Sequence, residues 1–63
     1  MFKIDWMGAL IGFHYQTVDA AVVAARQYFR LMRYHGSFSV TVCDSGAIIK
    51  INDVEVGYIL HED

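Results

Sequence analysis

Three histidines, one cysteine and three closely spaced arginines are the residues of this chain whose chemistry could serve a site. His14, His35 and His61 could converge on a metal ion, because neutral imidazole is a common zinc donor. No two of them have a ligand spacing such as i, i+4 on one helix, so no metal site is assigned. Cys43 with a histidine could be a thiol nucleophile. It ends the alternating run Phe38-Ser39-Val40-Thr41-Val42-Cys43, where a small, inert side chain is the expected role. Asp44-Ser45-Gly46 holds residue types used by hydrolases, but turn formation explains all three. Gly8-Ala9-Leu10-Ile11-Gly12 has G-x-x-x-G spacing without the long apolar helix of a membrane dimer motif or the lysine of a phosphate loop. The expectation is a chain with no catalytic residue, no metal and no cofactor: not an enzyme.

The arginines are more promising. Arg26, Arg30 and Arg33 stand at i, i+4 and i+7, a spacing that makes one continuous basic ridge on a helix, with Tyr34 and His35 near its end. The planar guanidinium fork suits a row of carboxylates on a partner, or phosphate. Arg26, Arg30, Arg33 and Tyr34 are therefore the candidate partner-binding residues. Five Lys or Arg against seven Asp or Glu leave a formal charge of −2. Nucleic-acid affinity comes largely from neutralising phosphate, so this balance favours a protein partner. A nucleic-acid-binding accessory or regulatory protein using the arginine ridge is the alternative.

One helix is expected over residues 17–35 to carry this ridge. Thr17 is the expected N-cap, Asp19 suits the positive end of the macrodipole, and Ala20, Ala21, Ala24 and Ala25 are strong helix formers. Gly36 is the expected left-handed stop, giving a helix about 27 Å long. At 100° per residue, Val18, Ala21, Val22, Ala25, Phe29 and Met32 gather on one side, with Tyr28 at the margin, as the surface that packs on a sheet. A second apolar set, Ala20, Val23, Ala24, Leu31 and Tyr34 with Gln27 among them, lies roughly opposite. A one-helix domain has nothing left to bury it, and its small residues admit a second helix. Ala20, Val23, Ala24, Gln27 and Leu31 are the candidate dimer interface, a twofold pair being the simplest arrangement.

The strands flank this helix. Phe2, Ile4 and Trp6 alternate with Lys3, Asp5 and Met7, the period of a half-buried strand. Gly8 and Gly12 then either close a hairpin with a strand from Leu10 to Tyr15, the reading preferred here, or mark bulges in one long strand. Beyond the helix, residues 37–43, 47–51 and 54–60 read as a three-stranded meander with turns at Asp44-Ser45-Gly46 and Asn52-Asp53. Were the last strand an edge, Tyr58, Ile59 and Leu60 would offer strand addition as another route to a dimer. His61-Glu62-Asp63 is a polar tail expected to fray. The expected fold is α+β and two-layered: a β-hairpin, one helix and a three-stranded meander, the helix packed on a four- to five-stranded antiparallel sheet, residues 1–63 forming a single domain.

At 63 residues the chain buries only about 60% of its unfolded surface, so a monomer would be marginal. One cysteine excludes an internal disulfide. A dense core or self-association must compensate, and a composition 56% hydrophobic and 14% aromatic suits either. The charged start, Met1-Phe2-Lys3-Ile4-Asp5, is unlike a signal peptide, and no apolar run reaches the roughly 20 residues that span a bilayer. A cytoplasmic location without membrane contact is expected.

The run Thr17-x-Asp19-Ala20-Ala21 to Phe29, followed by Phe38-x-Val40-x-Val42-x-Asp44-x-Gly46, resembles the helix-plus-hairpin pattern of small phage and mobile-element inhibitors, among them anti-CRISPR proteins. The resemblance is one of architecture. It implies a protein that occludes a host or bacterial defence complex, and it assigns no residue a role.

Overall fold

The period-two runs form strands and the alanine-rich run a helix in a computed structural model describing residues 1–62. Among these residues the order is β1 (Phe2–Trp6), β2 (Ala9–Tyr15), α1 (Val18–Leu31), β3 (Phe38–Cys43), β4 (Gly46–Ile51) and β5 (Val54–His61). The strands form one antiparallel sheet in the order β2-β1-β5-β4-β3. Helix α1 covers one face, giving the expected two-layer α+β fold.

The first and last strands pair in the centre of this sheet. Phe2 lies opposite His61, Ile4 opposite Ile59 and Trp6 opposite Gly57. β5 is therefore an internal strand, and the edges are β2 and β3. The possibility of strand addition at Tyr58, Ile59 and Leu60 is thereby removed. The polar tail is also held: Glu62 donates its N–H to the Met1 carbonyl at 2.9 Å. Central pairing with β1 carries β5 through His61, so fraying does not begin where hydropathy placed it. Asp63 lies outside the described residues.

Alternation decides what the helix covers. Ile4, Trp6, Ala47, Ile49, Ile51 and Ile59 face α1, and Ala21 and Ala25 meet them with no exposed surface. Methyl side chains at these two positions let the helix axis sit close to the sheet. Trp6 anchors an aromatic group at one end of the layer, its ring 4.9 Å from Tyr28 and 5.5 Å from Tyr34. Its indole N–H is buried without a hydrogen-bond partner.

The helix starts as expected and ends early. Thr17 is extended and its hydroxyl accepts from the Ala20 N–H at 3.1 Å. The other end is Leu31, so α1 has 14 residues and a length of about 21 Å. Arg33 takes the left-handed conformation, φ 55°, that was expected of Gly36. The Arg33 N–H donates to the Arg30 carbonyl at 3.1 Å and the Tyr34 N–H to the Phe29 carbonyl at 3.2 Å. This pair of bonds is the Schellman closure, and its usual apolar contact is present as Tyr34 stacking on Phe29 at 6.2 Å. Packing of Tyr34 against Trp6 and Phe29 turns the chain before the glycine is reached.

The N-terminal segment is the hairpin preferred from the sequence, and not one long bulged strand. Met7 and Gly8, φ 51° and 84°, form the two-residue turn of a β1–β2 hairpin. The pairing then slips twice, between Phe2 and Ile4 and between Ile4 and Asp5, so β2 also carries bulges.

Candidate interaction surface

The apolar flank of α1 and the β1–β2 hairpin enclose a hollow. It is a groove of about 430 Å³ lined by Ile4, Ile11, Tyr15, Ala24, Gln27, Tyr28 and Leu31. Ile4 forms its floor, since it is almost fully buried. The slip in β2 sets Ile11 against the core. Gly12 leaves room for Tyr15: a methyl group there would collide with the Tyr15 ring and hydroxyl. Ala24 makes one wall low, and Leu31 stands at the rim with 78% of its surface exposed.

Four of the five candidate dimer residues, Ala20, Val23, Gln27 and Leu31, are exposed, and Ala24 is half-buried. Ala24, Gln27 and Leu31 belong to the groove. With Ala21 and Ala25 as the centre of the buried face, helical spacing puts Ala24, Leu31, Ala20, Gln27 and Val23 at increasing angles to one side. The second stripe therefore begins beside the core face, at Ala24 on the β2 side of α1, and runs round to Val23 on the opposite side of the helix. Val23, 57% exposed, extends the apolar strip out of the groove and along the helix. Tyr34 does not belong to it; its ring lies among Trp6, Tyr28 and Phe29. Met32, expected on the sheet-facing side, is 54% exposed because it is the C-cap.

The arginine ridge is shorter than the spacing implied. Arg33 lies beyond the helix, so only Arg26 and Arg30 remain on α1. The Arg26 guanidinium sits 5.4 Å from the centre of the Phe38 ring, a cation–π contact above β3. Arg30 is exposed in the last turn, where its charge favours the helix terminus. Tyr34, the fourth candidate, is half-buried and supports the helix end.

The remaining reactive residues are dispersed. The Glu62 carboxylate accepts the His14 N–H at 2.7 Å and lies 2.9 Å from His14 Nδ1. It thus ties the C-terminal segment to β2 at a residue with φ 67°. His61 packs on Phe2 at 4.4 Å, and His35 is exposed. Among the described residues no three His, Cys, Asp or Glu side chains gather as a metal site. Cys43 is a free, exposed thiol at the end of β3. On the uncovered face of the sheet the Tyr58 hydroxyl donates to Glu55 at 2.9 Å. That bond, then the Glu55 charge, desolvation and the Asp5 charge, raise the Tyr58 pKa above its ordinary value of 10.0.

Sequence reasoning missed Ile4, Ile11, Tyr15 and Tyr28 as parts of one surface. Gly12 was the available signal, since a glycine inside a strand marks a bulge or a close approach. Among the described residues no helix is long and apolar enough to cross a membrane. Comparisons with protein-family models, with curated proteins and with solved structures find no match to this chain.

Proposed function

We propose that this protein acts by binding another protein, with an apolar helix of the partner lying in the groove between α1 and the β1–β2 hairpin. The observation carrying this reading is that the groove opens into an exposed strip running from Leu31 to Val23. Eight helical steps separate these residues, a distance of about 12 Å, longer than one anchoring side chain requires and suited to a helix laid along the flank. Ala20 and Ala24 permit close approach of its backbone. Arg30 borders the strip on its solvent side, so a partner helix with carboxylates beside its apolar stripe matches the charge.

The proposed action is occlusion of a host or bacterial complex in the cytoplasm, as in the small phage inhibitors the chain resembles. The reducing interior suits its free thiol, Cys43. No specific observation favours nucleic acid: of the three arginines, one has left the helix and another is engaged over Phe38.

Titration of the labelled protein with two amphipathic helical peptides, one with glutamates and one with lysines beside a leucine stripe, tests the reading. Amide shifts at Ile11, Tyr15, Ala24, Gln27 and Leu31 with the glutamate peptide, lost in Leu31→Asp, are expected. Equal response to both peptides would remove the role of Arg30. Absence of any response at the groove would overturn the reading, as would shifts confined to a second copy's contacts.

A further inference from the structure

The two edges of the sheet differ, and the difference points to how the chain associates with itself. β2 is a poor template for another strand. Its register slips twice, His14 takes a positive φ, and Glu62 holds that bulge. Bulges of this kind blunt an edge against pairing. β3 has none of these features. It pairs with β4 without a slip from Phe38 to Cys43. Phe38-Ser39-Val40-Thr41-Val42-Cys43 contains no charge, no proline and no glycine, the composition that makes an uncovered edge prone to association. Val42 is in the same alternating row as the half-buried Phe38 and Val40 yet is 64% exposed, so the helix-side layer is left unfinished at this edge.

We propose that a second copy of the chain completes this edge by antiparallel β3–β3 pairing about a twofold axis through Thr41. In that register Thr41 faces its own mate, Val42 faces Val40 of the other copy, and Ser39 faces Cys43. Both helices then lie on the same side of a ten-stranded sheet, and the two Val40–Val42 pairs close the apolar gap between the layers. Asp44, one step beyond Cys43, comes opposite Phe38 of the other copy, the ring over which Arg26 sits at 5.4 Å. Each end of the seam thus brings a carboxylate to a guanidinium, and strands without charge meet no repulsion between them. Because β2 is blunted, pairing stops at two copies and does not propagate into a fibre. The grooves lie beyond the opposite, β2 ends of the sheet and stay open in the dimer, so this proposal stands apart from the partner-binding reading.

The register is testable directly. Ser39→Cys places a thiol opposite Cys43 of the other copy, and mild oxidation of that variant is expected to give a covalent dimer that reductant reverses. Light scattering on the full chain at high micromolar concentration is expected to show twice the chain mass. Val42→Lys should halve that mass while leaving the far-ultraviolet circular dichroism and the peptide response of the groove unchanged. A wild-type chain that remains monomeric overturns the proposal. So does a dimer that survives Val42→Lys and dissolves in Leu31→Asp, or a failure of Ser39→Cys to cross-link.

Discussion

Replacing Arg33 by glycine should stabilise the protein. The left-handed conformation at φ 55° brings a Cβ too near the following carbonyl, which costs about 1–2 kcal/mol for a residue with a side chain. Glycine removes that cost but adds freedom to the unfolded chain, worth about 0.5–1 kcal/mol in the other direction. The Arg33 side chain is exposed and makes no ion pair among the described residues, so its loss subtracts little. The net expectation is a gain of about 0.5–1 kcal/mol, a rise in Tm of about 2–8 °C for a domain of this size. Thermal and urea melts followed by circular dichroism measure it, at matched protein concentration because self-association shifts apparent stability. Arg33→Ala retains the Cβ and should show no such gain. If Arg33→Gly melts at or below the wild type with the fold intact, the early helix stop is not strained and the account of the terminus is wrong.

Three further outcomes are expected. Gly57→Ala should unfold the protein or cost more than about 3 kcal/mol, since the added methyl strikes the Asp5 carbonyl across the central strand pair; a native-like melt would refute that close approach. Glu62→Ala should cost about 1 kcal/mol by freeing the His14 bulge, seen as faster amide exchange at His14. In an ultraviolet titration Tyr58 should ionise above the ordinary tyrosine value of 10.0, and Tyr58→Phe should remove that phase. Because the folded pKa is raised, the associated stability is complete below about pH 10 and is lost as pH rises through the folded value.

Local pattern carried much of the fold. Thr17 as N-cap, the strand runs and the turn at Asn52-Asp53 depend on neighbours within a few residues, and each was visible as spacing or residue type, as was a hairpin at Gly8. The helix end was not. Gly36 is the better left-handed residue in isolation, but stacking of Tyr34 on Phe29 and its approach to Trp6 reward an earlier turn at Arg33. That shift also broke the arginine ridge, which had rested on an unbroken helix.

By itself the sequence determined one helix, four or five antiparallel strands, a surplus of apolar surface on the helix and a formal charge of −2. Tertiary structure alone decided that the chain's two terminal strands pair in the middle of the sheet, which made β3 an edge and β5 an interior strand. It also decided that Ala24, Gln27 and Leu31 of the surplus face of α1 join Ile11 and Tyr15 in a groove, a neighbour that helical spacing alone does not supply. The physical reason is the same in both cases. Alternation and helical period specify which side of an element is buried, whereas strand order and the neighbours of a helix flank depend on contacts between separate elements: Ile4 pairs with Ile59 more than fifty positions away, and Ile11 shares the groove with Ala24 from another element.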